Sequence, residues 1–177
     1  MIKKLLCGLT LLYAATTCAT GNFFLYPNVL LQTVTSNDSN YRGVSPKLAV
    51  GYGAILGQSF YLAGEASAAI GTAQISSNIS TNGINARINK TYDFSLLPGM
   101  FFSDNALVFV KLGAASSNFS TPNKYATGGE LGLGLQFSIL NCWHVRGEYF
   151  YTSYSSIEGI KNPVSDTFAL GAVFTFN

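Results

Sequence analysis

Charge is scarce in this chain. Lys, Arg, Asp and Glu supply only 10% of its 177 residues, where a soluble globular domain carries about 25%. No basic cluster occurs, which argues against a nucleic-acid binder. Low hydrophobicity combined with high net charge, the mark of a disordered chain, is missing as well. Three Cys in a chain this long do not make a disulfide scaffold. Long hydrophobic runs are absent from the body of the sequence. Its most apolar uncharged stretch, 48–64, is broken by Gly51, Gly53, Gly57 and the pair Gln58-Ser59. A helix crossing a bilayer needs about 18 consecutive apolar residues, and none is found. Yet 48% of the residues are hydrophobic, with 18 Gly and 24 aromatics. The length suggests one domain.

The N-terminus has the order of a secretory signal peptide: basic Met1-Ile2-Lys3-Lys4, an apolar run from Leu5 to Ala15, then small residues to Thr20. The expected division is therefore a signal peptide at 1–20 and a single exported domain at 21–177. Eleven apolar residues reach across about half a bilayer core, too few for a permanent anchor. Thr16-Thr17 ahead of Cys18 is a poor match to a lipoprotein signal. Loss of Lys3 and Lys4 takes the ten basic residues to eight, against eight acidic, so the exported chain is formally neutral. Cys142 is then the remaining cysteine and has no intramolecular partner.

An exported, hydrophobic, charge-poor chain without a spanning helix has one other way to cross a membrane, the closed β-barrel. The periodicity agrees. Leu131, Leu133, Leu135, Phe137 and Ile139 alternate strictly with Glu130, Gly132, Gly134, Gln136 and Ser138, and residues 167–176 repeat the pattern. This period of two belongs to strands. Eight strands are expected, near 24–35, 46–56, 60–75, 90–102, 106–118, 129–139, 143–156 and 167–177. Tight turns at 57–59, 103–105 and 140–142 alternate with longer polar segments at 36–45, 76–89, 119–128 and 157–166. Short turns at one end and long loops at the other are the asymmetry of an up-and-down transmembrane barrel. Pro27 and Pro98 fall inside strands, where each removes a ladder hydrogen bond and suggests a bulge.

The charges give an independent test. Lys47, Glu65, Asp93, Lys111, Glu130, Arg146 and Glu148 lie inside strands, each on the small, Gly-rich face. A water-soluble barrel would show the opposite arrangement. A Lys or Arg on a lipid face costs about 2–4 kcal/mol at the midplane, so these seven are expected to point inward. Counted from the tight turns, Glu65, Lys111, Arg146 and Glu148 form a lower set that could be one ion network. Lys47, Asp93 and Glu130 lie higher. An eight-stranded barrel is just wide enough for side chains to fill it. Mutual ion pairing would therefore plug the lumen, while glycines at 51, 53, 113, 132, 134 and 171 would leave space and keep a narrow channel as the alternative. Trp143, Phe101, Phe102, Phe174 and Phe176 at the turn end, with Tyr149, Tyr151 and Tyr154 toward the other, suit the two membrane interfaces.

The whole exported segment resembles the small eight-stranded outer-membrane barrels of Gram-negative bacteria, of the OmpA-like or opacity-protein type. The resemblance rests on the strand and loop pattern, on Pro46-Lys47-Leu48-Ala49-Val50-Gly51-Tyr52, and on Gly171-Ala172-Val173-Phe174-Thr175-Phe176. It implies an all-β, eight-stranded antiparallel up-and-down transmembrane β-barrel in the outer membrane. It also implies a terminal assembly signal at Gly171, Phe174 and Phe176, read by the barrel-assembly machinery after periplasmic chaperones, and a setting of outer-membrane lipid and lipopolysaccharide. The chain departs from that signal by ending in Asn177. Some barrel enzymes acting on lipid A are similar in size, but they need a His, a Ser and an acid near the outer leaflet. His144 lies by a tight turn, and Ser153 and Ser155 are about 30 Å along its strand at about 3.3 Å per residue. No metal cluster, phosphate loop or nucleophile elbow appears. No enzyme activity, cofactor or nucleic-acid partner is expected. The expected role is a structural, surface-interacting, adhesin-like one, with a host or matrix ligand at the loops. A small diffusion channel is the alternative.

Overall fold

The computed structural model describes residues 20–36, 39–78, 87–120, 123–156 and 162–176. Nine strands follow one another: β1 (Thr20–Ser36), β2 (Ser39–Leu56), β3 (Phe60–Ile70), β4 (Ala73–Asn78), β5 (Ile88–Ser103), β6 (Ala106–Phe119), β7 (Lys124–Leu140), β8 (Trp143–Tyr154) and β9 (Val164–Phe176). All pairings are antiparallel, and β1 pairs with both β2 and β9. The sheet therefore closes on itself, and only the short β4, paired with β2 alone, keeps an edge without a strand partner among the described residues. β3 and β4 both pair with β2 and act as one stave, so the barrel has eight. That stave breaks at Gly71, whose φ of 69° suits a residue without a side chain. The expected strand at 60–75 is thus two pieces.

Two further expectations need correction. The strands run longer than the sequence suggested. Ser36 pairs with Ser39, so most of the expected loop at 36–45 is strand, and β7 begins at Lys124 inside the expected loop at 119–128. Ser, Asn and Thr there resemble loop residues. Beyond a bilayer, however, a strand needs no apolar face, and the ladder continues. A membrane strand needs about 9–11 residues. β1, β2 and β7 have 17, 18 and 17, and so project past it. The prolines, for their part, cause no bulge. Pro27 stays paired with Leu48 and Pro98 with Leu62, while on the opposite side of each the ladder skips two residues and resumes in the same register.

Residues 1–19 of the segment expected to be a signal peptide, together with Asp38, Glu158, Lys161, Asn177 and most of the segment 76–89, lie outside the described residues.

The outer wall is apolar. Leu131, Leu133, Leu135, Phe137 and Ile139 all face outward, with Leu133 61% exposed. On neighbouring strands Leu48, Val50, Tyr92, Phe94, Leu96, Phe168 and Leu170 do the same. A soluble protein rarely exposes so continuous an apolar surface. The polar side chains that such a wall displaces are inside.

Candidate functional site

Alternation places all seven strand charges in the interior, and all are buried. They form one connected network. Lys111 Nζ, with no exposed side-chain surface, lies 3.3 Å from Glu65, 3.3 Å from Glu130, 3.5 Å from Glu148 and 3.7 Å from Asp93. Arg146 Nη1 reaches Glu65 at 2.8 Å and Glu148 at 3.5 Å. Lys47 pairs with Asp93 at 2.9 Å. The expected lower set does come together, but it is not separate from Lys47, Asp93 and Glu130, because Lys111 joins both levels. Polar neighbours add to the pairing, although Arg146 Nη2 and Asp93 Oδ1 find no hydrogen-bond partner among the described residues. Arg146 Nε donates to Gln136 at 2.9 Å, and Ser67 donates to Asp93. Ser95 and Thr152 approach Glu130 at 3.4 and 3.5 Å.

Rings that alternation alone did not single out hold the network above and below. The Arg146 guanidinium sits 4.9, 4.7 and 5.1 Å from the ring centres of Phe24, Tyr26 and Phe109. Lys111 and Lys47 lie over Phe150 at 4.8 and 5.2 Å. Cations over aromatic faces are held by the ring quadrupole. Toward the short-turn end a cluster with Phe24, Tyr26, Tyr61, Leu97, Leu107 and Phe109 fills the interior, and Phe101 packs against it. Toward the other end Val34, Tyr41, Ile88, Phe119 and Tyr154 form a second. Phe101 and Tyr154 were expected on the outer wall. Tyr154 instead shares the inward parity of Thr152 and receives a hydrogen bond from Ser117.

The interior glycines do not stand beside empty space. A side-chain carbon at Gly134 would meet the Phe109 ring, at Gly51 the Phe24 ring, at Gly53 the Tyr61 ring and at Gly132 Phe150. They are the seats of the rings. The register adds a rule that the linear sequence hides. Glu65 faces Gly51, Glu130 faces Gly113, Lys111 faces Gly132, Glu148 faces Gly134 and Arg146 faces Gly171 across neighbouring strands. A missing side chain opposite each large charged one lets both fit inside a narrow barrel.

The chain matches the outer membrane protein beta-barrel domain over residues 5–176. It belongs to that family. Among solved structures it is similar to Neisserial surface protein A, with 15% identity, 89% of this chain and 99% of that one covered, and a TM-score of 0.57. The attachment invasion locus protein Ail of Yersinia pestis, solved in complex with the heparin analogue sucrose octasulfate, gives 16%, 89%, 99% and 0.55. These likenesses are of fold. No curated protein sequence matches the chain.

In an outer-membrane β-barrel the short-turn end faces the periplasm and the long-loop end faces outward. The three residues of the expected assembly signal divide between the two faces of β9. Gly171 turns inward, where an added side-chain carbon would lie 2.5 Å from Asn28 Cβ. Phe174 lies 5.0 Å from both Trp143 and Phe176, in an aromatic cluster at the periplasmic rim. His144 is bonded across strands, its Nδ1 2.8 Å from Ser138 Oγ and its Nε2 3.4 Å from Thr175 Oγ1. The strand-by-strand search for a serine missed Ser138, because only the register brings β7 beside β8. None of the hydrogen bonds and ion pairs among the described residues links a carboxylate to this group, and it lies at the periplasmic end. Cys142 is half-buried in the adjoining turn.

Charge is divided unevenly along the barrel. The interior network has three cations and four anions. Asp104 marks a periplasmic turn. Around the external end, Arg42, Arg87, Lys90 and Lys124 stand against Asp166 among the described residues.

Proposed function

We propose that this outer-membrane barrel is closed and acts at its external end, as a membrane-anchored surface-interaction protein of adhesive type rather than as an enzyme or a channel. One observation carries the reading. Among the described residues the interior holds two ring layers with the seven-residue ion network between them, whereas Arg42, Arg87 and Lys90 of the external rim belong to none of its ion pairs. A diffusion channel needs a continuous wet lumen, and this packing counts against one. The ligand class that fits a basic external rim is a polyanionic surface or matrix glycan. The fold shared with Ail, which was solved with a heparin analogue, supports that choice.

Export by a signal segment at 1–20 belongs to the same proposal, as does insertion into the outer membrane of a Gram-negative cell through the barrel-assembly machinery, with Phe174 and Phe176 presented at the rim. The surrounding partners are then outer-membrane lipid and lipopolysaccharide. The test has two parts. The protein should appear in the outer-membrane fraction and shift on a gel when boiled. Cells displaying it should adhere to immobilised heparin more than cells without it, while the purified barrel in a planar bilayer gives no stable conductance. A steady conductance with no adhesion would replace this reading with the channel.

A further inference from the structure

Two of the buried polar atoms without a partner among the described residues lie at the external mouth, the others being Asn28 Oδ1, Asp93 Oδ1 and Arg146 Nη2 inside the barrel. Tyr41 is fully buried, yet its hydroxyl has no hydrogen-bond partner among the described residues, and Arg87 Nε has none either. The two groups share one corner. Arg87 Nη2 donates to the Thr72 carbonyl at 3.0 Å. The Thr72 hydroxyl donates to the Ile88 carbonyl and, as an acceptor, also lies beside the Tyr41 hydroxyl. A side-chain carbon built at Gly43 would lie 2.5 Å from the Thr72 methyl and 2.6 Å from the Tyr41 hydroxyl oxygen. Tyr41, Thr72 and Arg87 thus converge over the inner side of a glycine, and the atoms left over include a hydroxyl and a guanidinium N–H.

A guanidinium only donates, and a phenol donates readily. Buried donors in native proteins are nearly always matched by an acceptor. Here one donor is cationic, so the matching acceptor is an anion, which also gives the stronger bond. Arg87, Arg42 and Lys90 take part in none of the ion pairs among the described residues. Arg42 and Lys90 stand on the outer wall of the strands that carry this corner, adding positive potential. Odd-numbered residues of β2 face the interior, so the corner opens at the mouth and away from the lipid headgroups around the wall. Arg87 is half-buried among the described residues.

We propose that Tyr41 and Arg87, seated over Gly43, form a docking site for one sulfate or phosphate group of an external glycan. The site rests on the external end being the interaction face and adds the chemical group it takes. The probe is sodium sulfate, titrated into the full barrel in detergent micelles and followed by amide chemical shifts, with sodium phosphate as a second arm and vesicles containing lipid A as a third. The expected result is saturable sulfate binding with shifts confined to residues 41–43, 72 and 87–88. Arg87→Gln should weaken it about tenfold, the loss of one charge-assisted contact. Tyr41→Phe, which keeps the ring, should weaken it less, and Lys90→Gln least. The boiling shift on a gel confirms that each variant is folded. Absence of saturable binding overturns the site. So does a folded Arg87→Gln that binds like wild type, or a response to lipid A with none to either salt. If sulfate binds as described but displaying cells do not adhere to heparin, the adhesive reading falls and the anion site stands.

Discussion

The lumen and the external mouth use the same residue types in opposite ways. In the lumen every Lys and Arg is bound to carboxylates, and Lys111 alone touches four of them. At the mouth, Arg87 belongs to none of the ion pairs among the described residues, and it and Tyr41 each leave a polar atom over, as Arg146 and Asp93 do inside. The first arrangement holds strands together. The second costs stability and leaves donors available. Position relative to the membrane accounts for the difference. Within the bilayer, removing one partner leaves an uncompensated charge that water cannot reach. Beyond it, solvent and ligands can complete what the protein leaves open.

The comparison breaks most sharply at its centre. Lys111→Met leaves four carboxylates around a missing cation, and should cost about 3–5 kcal/mol. This is read as a lower denaturant midpoint in micelles. A midpoint unchanged from wild type would mean that the network does not hold the barrel. On the other side of the wall, Leu133→Lys puts a charge into lipid and should cost about 2–4 kcal/mol in bilayers. The same variant should lose much less in a micelle, where the charge reaches water, so equal losses in both media would argue against a lipid-facing Leu133. Gly134→Ala drives a methyl group into the Phe109 ring. It should cost about 1–3 kcal/mol by overpacking, and Phe109→Leu in the same chain should recover part of the loss. At the mouth, Lys90→Gln should change stability by less than about 0.5 kcal/mol. A large loss there would erase the contrast between the two regions.

Much of this was legible in order along the chain. Strict alternation in β7 gave the inward and outward faces, and the seven charges shared the inward one. Lengths were less legible, because Ser39 to Ser45 reads as a polar loop when nothing marks where the bilayer ends. Tyr154 was assigned by residue type to an interface, although its parity with Thr152 already pointed inward. Contacts between strands were not legible at all. Ser138 beside His144, Gly51 opposite Glu65 and the Tyr41–Arg87 corner depend on register, which is set only when the sheet closes. The interior glycines show how this misleads. Read singly they suggest open space, but their register partners are the rings and charges that occupy it.

Those facing pairs have a consequence for how such a barrel changes over generations. A charge is tied to the glycine opposite it on the next strand, Glu130 to Gly113 and Arg146 to Gly171, and each glycine in turn to the residue that fills its place from the far side, Ser95 and Asn28. Single replacements at either position are therefore penalised, and exchanges of both together are open. Related barrels should show these positions drifting as linked couples, with the side-chain bulk sometimes swapped from one strand to its neighbour.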